Sequence, residues 1–415
     1  MLVDGKLGDV ATLHRGYDLP EASRTKGSIP VISSSGISGW HNTAKLHGEN
    51  VITGRCGTIG EVFYHNGPCW PLNTALYVSD FRRNDPRYIA YLLEAYLKTD
   101  GKDKSTVPGV DRNVLHELPV RYYDDVHEQQ VVVRPLMDID NAIKANRAIN
   151  DNLRSTLQVL YGYWFIQFNF PDANDGPYKR SGGKMVYNEK LRLPIPENWQ
   201  VASIVKNPLS SVVAPGVDHF KTKTYYATAD VNGIDLGVGS QVDYETRESR
   251  ANMQPGLHTV WFAKMKDSVK HLFLGRSMEY VIDKSILSTG FMGLQCREEA
   301  FEYITAFIEG PYFECAKDLY ANGATQQAVG NTELESVYLV VPDDETLARF
   351  HNMSRGIVEN MCKNIMENKK LNELRDWLLP MLMNGQATVE ATQQNYRLSN
   401  VFLFDFNLLR ASVLI

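Results

Sequence analysis

The sequence predicts an α+β protein in which two similar β-rich domains are joined by two long antiparallel coiled-coil helices, as a pseudo-two-fold internal repeat. Three observations predict this fold. Two long amphipathic helices lie about half a chain apart, a β-rich block punctuated by glycine precedes each helix, and 415 residues exceed what one compact core normally holds.

The two helices are predicted over His127–Phe165 and Glu345–Met383, because their apolar residues recur in steps of three and four. Six seam positions of the first helix are followed 218 residues later by seam positions of the second. The predicted seam comprises Ile139, Ile143, Asn146, Asn150, Leu153, Leu157 and Leu160, and then Ile357, Met361, Asn364, Asn368, Leu371 and Leu378. Asparagine weakens a seam but specifies its register, so the shared Asn-x-x-x-Asn-x-x-Leu pattern indicates an internal duplication. Arg375 departs from the repeat, because it lies 218 residues after Leu157, where the repeat predicts a leucine.

Each long helix needs a partner for its apolar face. The simplest partner is the other copy, paired antiparallel, which would give a rod of about 55 Å at ~1.5 Å per residue. That length is about one and a half turns of B-DNA, taking ~34–36 Å per turn. The alternative is that each helix packs separately onto its own β-rich block.

The two blocks are predicted to be β-rich because short β-branched and aromatic runs alternate with turn residues. The strand-like runs are Ile29–Ser33, Asn50–Thr53, Glu61–Tyr64 and Ala75–Val78 in the first block, and Thr222–Ala227, His258–Phe262 and His271–Leu274 in the second. Both blocks end alike, since Thr106, Val110, Leu115 and Leu118 match Thr325, Val329, Leu334 and Val337 at an offset of 219. Paired aspartates, Asp124-Asp125 and Asp343-Asp344, then suit the positive N-terminus of each helix.

These patterns divide the chain into six segments. The predicted order is a first domain at 1–125, a central helix at 126–168, a linker at 169–198, a second domain at 199–342, a distal helix at 343–387 and an unassigned tail at 388–415. Turn and extended signals between Pro171 and Pro196 indicate the linker.

Composition and motifs exclude several classes of function. The net charge of −6 argues against a generic polyanion binder, and no apolar stretch is long enough for a membrane span. Five scattered cysteines without a C-x-x-C pair fit a reducing cytoplasm. No phosphate loop or nucleophile elbow occurs, Asn207-Pro208-Leu209-Ser210 lacks the second proline of an adenine methyltransferase motif, and no metal site is predicted.

The ordered motifs resemble the specificity (S) subunit of type I restriction–modification systems over nearly the whole chain. The resemblance rests on Leu7-Gly8-Asp9-Val10, Thr53-Gly54-Arg55-Cys56-Gly57-Thr58-Ile59-Gly60, Val126-His127-Glu128-Gln129-Gln130-Val131-Val132, Ile139-Asp140-Asn141-Ala142-Ile143, Leu160-Tyr161-Gly162-Tyr163-Trp164-Phe165 and Leu193-Pro194-Ile195-Pro196-Glu197-Asn198-Trp199.

The resemblance implies a non-catalytic subunit that reads double-stranded DNA. Each block would be a target recognition domain for one half of a bipartite site, and the helices would dock two modification (methyltransferase) subunits, with restriction (helicase-nuclease) subunits completing the complex. No cofactor is expected on this chain, while S-adenosylmethionine, ATP and Mg are expected on the partners, in the cytoplasm. Two alternatives remain: a symmetric protein–protein scaffold that does not read DNA, and an S subunit that serves a combined nuclease-methyltransferase.

Candidate DNA contacts are polar and basic residues in loop-like stretches, because Arg, Lys, Gln and hydroxyl side chains contact phosphates and base edges. The candidates are Arg15, Tyr17, Arg24, Lys26, Ser34, Ser35, Lys102 and Lys104 in the first block, and Lys221, Lys223, Tyr225, Lys264, Lys266, Lys270, Gln326 and Gln327 in the second. A lysine of this kind is more often simply solvated, and Tyr225 or Trp40 more often packs than contacts a base.

Overall fold

A computed structural model of the chain describes residues 1–57, 60–100, 111–323, 327–391 and 396–399. The chain forms two compact units, one comprising Met1–Asp140 with the chain from Leu374 onward, and the other comprising Asn141–Glu373. Both boundaries fall inside the long helices, so each helix contributes one part to each unit.

The first unit is built mainly from short strands. Its elements are β1 (Leu2–Lys6), α1 (Leu7–Val10), β2 (Thr12–Arg15), β3 (Ile29–Ser33), β4 (Gly36–His41), β5 (Glu49–Gly54), β6 (Val62–Asn66), β7 (Trp70–Pro71), β8 (Ala75–Asp80), α2 (Pro86–Asp100), α3 (Arg112–His116), β9 (Pro119–Tyr123) and the first part of α4 (Val126–Tyr161). The strand orders are β2-β8-β5-β6 and β4-β3-β7. Ile32, Ile52 and Tyr77 pack the two sheets together, while α2 lies against β5 and β6.

The second unit has a larger core. After the rest of α4 come a π-helical segment (Gly162–Ile166), β10 (Met185–Asn188), β11 (Leu193–Pro196), β12 (Gln200–Ser203), β13 (Ser210–Val212), β14 (Thr222–Tyr226), β15 (Val231–Asn232), β16 (Asp235–Leu236), β17 (Ser240–Asp243), β18 (Ala251–Met253), β19 (Thr259–Ala263), β20 (His271–Leu274), α5 (Glu279–Lys284), β21 (Ser285–Ser288), β22 (Phe291–Cys296), α6 (Phe301–Ile308), α7 (Pro311–Tyr320), α8 (Asn331–Leu334), β23 (Tyr338–Val341) and the first part of α9 (Asp344–Met383). The sheets have the orders β13-β22-β19-β20 and β17-β14-β21-β18. Trp261, Phe262 and Phe313 join the first sheet to the helices in one buried cluster.

The chain after α9 returns to the first unit. It forms β24 (Thr388–Ala391) and β25 (Tyr396–Ser399), which pair antiparallel. The end of α9 lies against β1, because a methyl group at Gly385 would be 3.0 Å from the Leu2 Cδ2 atom. The sequence left this tail unassigned from residue 388, and the residues beyond 399 lie outside the described part of the chain.

The internal repeat is visible in how each block meets its long helix. β1 pairs antiparallel with β9, and β12 pairs antiparallel with β23, so in both units the first strand of the block closes against its last. A short helix, α3 or α8, precedes that last strand each time. The structure therefore confirms the α+β class and the duplication that the sequence predicts.

Both long helices begin with the same capping arrangement. The Asp125 carboxylate accepts a hydrogen bond from the Glu128 backbone N–H at 2.9 Å, and the Asp343 carboxylate accepts one from the Thr346 N–H at 2.8 Å. An aspartate at this position satisfies a backbone donor that the helix leaves unpaired, and its charge suits the positive end of the helix. The predicted starts of both helices are confirmed to within one residue.

The segment that composition marked as a linker is structured. β10 and β11 form an antiparallel hairpin, and Phe170 stacks between Tyr178 and Trp199 with ring centroids 4.7 Å from each. Phe170 and Trp199 belong to the core of the second unit. Glycine and proline signals indicated turns correctly, but the aromatic residues between them bury enough apolar area to anchor the segment.

Candidate nucleic-acid interface and paired helices

The second unit pairs α4 with α9 through asparagines. Asn146 Nδ2 donates to Asn368 Oδ1 at 3.0 Å, and Asn364 Nδ2 donates to Asn150 Oδ1 at 2.8 Å. Positions advance along α4 as their partners retreat along α9, so the helices run antiparallel in this unit. The Asn residues that the repeat placed at equivalent positions are thus each other's partners.

The remaining seam positions are buried or half-buried. Ile143, Leu157 and Met361 are buried in the second unit, where Leu153, Leu160, Ile357 and Leu371 are half-buried, and Ile139 and Leu378 are buried in the first unit. Leu157 and Met361 belong to the core cluster of the second unit, so these helix faces pack on the second block as well as meeting at the asparagines.

Within the first unit, Arg375 of α9 contacts two carboxylates. Its Nε donates to Asp140 Oδ1 at 2.6 Å, and its two terminal nitrogens donate to the oxygens of Glu94 at 2.7 and 2.6 Å. Tyr91 donates to the other Asp140 oxygen at 2.6 Å. Burial would lower the pKa of Arg375, but the hydrogen bonds to Glu94 and the neighbouring Asp140 raise it above its ordinary value, so the guanidinium stays charged.

This cluster explains why the repeat is broken at Arg375. A leucine there would remove the guanidinium that donates two hydrogen bonds to Glu94, which is 8% exposed. Sequence reasoning did not pair these residues. The available signal was a single glutamate inside the apolar run Tyr88–Leu97 of α2, because a charged residue in such a run is seldom buried without a partner.

The first unit holds one group of candidate DNA contacts beside β4. Arg24 donates to the Ser38 carbonyl at 2.9 Å, and Lys26 is exposed two residues further on. Trp40 on the same strand is 54% exposed. These side chains offer a cation and an aromatic face to a ligand from one edge of the three-stranded sheet.

The other candidates of the first unit lie elsewhere or are engaged. Arg15 is exposed and lies 3.4 Å from Asp18. Tyr17 is half-buried, stacks on Tyr77 and shares a 2.9 Å hydroxyl–hydroxyl hydrogen bond with it. Ser34 is buried, whereas Ser35 is exposed. Lys102 and Lys104 lie outside the described residues.

The second unit brings together two candidate stretches that are some 60 residues apart in sequence. The Lys266 N–H donates to the Gln327 carbonyl at 2.9 Å, and the Val329 N–H donates to the Lys264 carbonyl at 3.0 Å. Lys266 and Gln327 are exposed, and Lys264 is half-buried. Burial lowers the pKa of Lys264, and among the described residues no carboxylate pairs with Lys264 or Lys266. This surface offers cations to an external anion.

The remaining candidates of the second unit are partly engaged. Lys270 donates from Nζ to the Thr228 carbonyl at 2.5 Å, and Lys223 donates to Gln254 at 3.1 Å. Lys221 is exposed, but the Tyr225 ring is buried. Gln326 lies outside the described residues. Ser34 and Tyr225 therefore present no surface to a duplex in this conformation.

Two negative observations apply to the described part of the chain. No group of three or more His, Cys, Asp and Glu side chains there could hold a metal ion. No helix there is both long and apolar enough to cross a bilayer.

The chain is similar to specificity subunits of type I restriction enzymes. Residues 3–155 match the family of the type I restriction modification DNA specificity domain. The type I restriction enzyme MjaIX specificity subunit of Methanocaldococcus jannaschii is 24% identical over 322 residues, which cover 73% of this chain and 69% of that protein. The type I restriction enzyme HindI specificity subunit of Haemophilus influenzae is 21% identical over 348 residues, which cover 70% and 74%.

The chain also aligns with a solved structure of an S subunit. The S subunit of a type I restriction-modification system from M. genitalium aligns with 92% of this chain and 96% of that chain at 13% identity, with a TM-score of 0.45.

Proposed function

We propose that this chain is a specificity subunit of a type I restriction–modification system, as the matched domain and relatives indicate, and that its two β-rich blocks read the two halves of a split DNA site. The chain supplies sequence-specific DNA recognition to a restriction–modification complex and is not itself an enzyme. In this proposal residues 1–125 and 199–342 are the two recognition domains, and the helices at 126–168 and 343–387 connect them.

The observation that carries the two-domain proposal is the repeated junction between block and helix. β1–β9 with α3, and β12–β23 with α8, lead into helices capped by equivalent aspartates. A chain that presents two copies of one framework is suited to a site with two halves, because DNA half-sites are spaced to match the arrangement of the protein that reads them.

The contact surfaces we propose are basic ones for which the described residues supply no carboxylate partner. In the second block they are Lys264 and Lys266 with the neighbouring Gln327, and in the first block Arg24 and Lys26 beside Trp40. Lysine and arginine would hold phosphates and set the register, while Gln327 is of the type that reads base edges.

The resemblance to specificity subunits implies two modification subunits as partners, with S-adenosylmethionine on them, and restriction subunits with ATP and Mg. The net charge of −6 gives the chain no overall excess of cations, so we propose that the modification subunits supply much of the phosphate contact. The cytoplasm is the expected compartment, in keeping with the five free cysteines.

The test is methylome sequencing of cells with and without this gene, both expressing the modification partner. We expect a split adenine-methylated motif with a fixed unread spacer that disappears on deletion. An unchanged methylome, with both proteins shown to be present, would contradict the proposal and favour a scaffold that does not read DNA.

A further inference from the structure

The loop between β19 and β20, Lys264–Lys270, is held in place by α7. Lys317 Nζ donates to the Ser268 carbonyl at 2.8 Å, and the Asp318 carboxylate accepts a hydrogen bond from the Asp267 N–H at 3.0 Å. The Asp267 backbone has a φ of 55°, in the left-handed region that costs energy for a side-chain-bearing residue. The Asp318 hydrogen bond therefore supports a strained turn in the loop.

The group that follows the loop, His271, sits between two carboxylates. Its Nδ1 lies 2.5 Å from Glu309 Oε1, and its Nε2 lies 2.8 Å from Glu314 Oε1. A neutral imidazole has one N–H, so it would leave one of these contacts as two facing lone pairs. Two ionised carboxylates are both satisfied when both ring nitrogens donate. Burial would lower the pKa of His271, but the hydrogen bonds to Glu309 and Glu314 raise it above its ordinary value, which favours the imidazolium.

Each of the two carboxylates also faces a second cation through its other oxygen. Arg154 Nε lies 2.5 Å from Glu309 Oε2, and Lys317 Nζ lies 2.6 Å from Glu314 Oε2. Burial would raise the pKa of Glu314, but its hydrogen bonds from His271 and Lys317 lower the pKa below its ordinary value. We name the chain Arg154, Glu309, His271, Glu314 and Lys317 the His271 ion cluster. Asp318, 3.9 Å from Lys317, balances its remaining positive charge.

Stability alone does not account for this cluster. The Lys317 side chain is 0% exposed, and the side chains of His271 and Glu309 are 5% and 2% exposed. Removing such charges from water is costly, and well-packed apolar residues often serve stability equally well. The cluster ends on the Ser268 carbonyl, in the loop that carries Lys264 and Lys266, so its arrangement fixes where those lysines lie.

We propose that the His271 ion cluster positions the loop Lys264–Lys270 for contact with the DNA backbone, with Lys317 and His271 as positioning residues. The inference rests on the proposed function, since it assigns to this loop the phosphate contacts of the second block. Lys317 holds the loop directly, and His271 acts by holding Glu314 beside Lys317.

The experiment uses the full chain assembled with its modification partner and a duplex that carries the methylated motif. The variants are Lys317→Met, which keeps the bulk of the side chain and removes its ammonium, and Lys266→Ala, which removes one proposed phosphate contact. Affinity is measured over a range of salt concentrations, because the removal of one phosphate contact lowers the slope of log K against log salt by about 0.9.

We expect both variants to weaken binding and to lower the salt slope. We also expect the double variant to lose less than the two single losses combined, because a residue that acts through the loop has less to position once Lys266 is gone. Additive losses, or a Lys317→Met protein with the wild-type affinity and slope, would overturn the inference.

The matched control is His351→Gln. It breaks another His–carboxylate pair of the second unit, His351 Nδ1 to Glu302 Oε2 at 2.6 Å, which has no bond to the loop. The wild-type salt slope should survive this change, and an equal loss in the control would show that general destabilisation explains the result. If Lys317→Met does not fold, Asp318→Ala removes the Asp267 support from a partly exposed position and should lower the slope in the same way. Failure of the wild-type complex itself to bind the duplex would instead contradict the proposed function.

Discussion

At the scale of single residues, the polar groups between the helices determine which positions meet. Asn146 contacts Asn368, Asn150 contacts Asn364, and Arg375 contacts Asp140 together with Glu94. Apolar side chains would pack in several registers. A buried polar side chain that lacks its partner lowers the stability of the protein by about 1–3 kcal/mol. These contacts therefore select one antiparallel register out of several that the apolar seam alone would allow.

Arg375→Leu tests this argument directly. It restores the apolar residue that the repeat predicts but removes three hydrogen bonds from a buried guanidinium to Asp140 and Glu94. We therefore expect the free energy of unfolding to fall by about 3–5 kcal/mol. The measurement is the urea midpoint of the first unit, and unfolding is monitored through the spectroscopic signals of the tyrosines in that unit.

The matched control is Arg121→Ala, because Arg121 pairs with Asp4 at 3.2 Å at an exposed site of the same unit. That change should cost under about 1 kcal/mol. Similar losses in the two variants would contradict a special role for Arg375.

The stability of the second unit should depend on pH through His271. Burial lowers the pKa of His271, but its hydrogen bonds to Glu309 and Glu314 outweigh this and raise it above the ordinary value of 6.5. A pKa raised by folding contributes stability that is fully present below the unfolded value and is lost as pH rises through the folded value. The facing groups are Glu309 after α6, Glu314 and Lys317 on α7, and Arg154 on α4.

We therefore expect the urea midpoint of the second unit to fall as pH rises above about 6.5, the ordinary pKa of histidine, and through the raised pKa of the folded state. The same series on His271→Gln should lack this fall, because glutamine does not titrate. An equal fall in the variant would assign the effect to another group.

At the scale of elements, we expect the length of the two paired helices to set the spacing between the two half-sites. The chain passes from one unit to the other between Asp140 and Asn141 in α4, and between Glu373 and Leu374 in α9. An insertion at these points leaves the Arg375 and Asn contacts within their own units.

Inserting one heptad at Asp140–Asn141 alone should disrupt the pairing and abolish recognition, because the seam beyond the insertion loses its partner. The readout is the methylated motif of cells that carry the variant, with circular dichroism to confirm that the protein still folds.

The matched variant carries heptads at both points and should restore recognition with a longer spacer. Seven residues add about 10.5 Å of helix, which is about three base pairs of B-DNA. A motif with an unchanged spacer would contradict the helices' role in setting the distance.

At the scale of the whole molecule, the charge predicts dependence on partners. The chain has 43 Lys and Arg against 49 Asp and Glu, so cations are not in excess over the molecule as a whole. We expect the isolated chain to bind the cognate duplex weakly with a shallow salt slope, and both to increase when the modification subunit is added. Equal slopes with and without that subunit would show that this chain supplies the phosphate contacts alone.

Much of the architecture was readable from local sequence. The strands Ile29–Ser33 and His271–Leu274 were predicted with the bounds they have, and the two helices to within a few residues. Periodicity, caps and turns are short-range properties, so a single sequence carries them. The bounds of the six predicted segments and the DNA-contacting residues stay predictions.

By itself, the sequence determined that this protein is a duplicated α+β chain with two capped helices and an S-subunit pattern, because repeats, periodicity and motifs are written in residue order. Only the tertiary structure decided that Arg375 meets Glu94, that the segment after α4 packs into a core, and that Lys266 lies beside Gln327. Those contacts join residues far apart in the chain, and their partners are chosen by burial and charge balance, which no local pattern records.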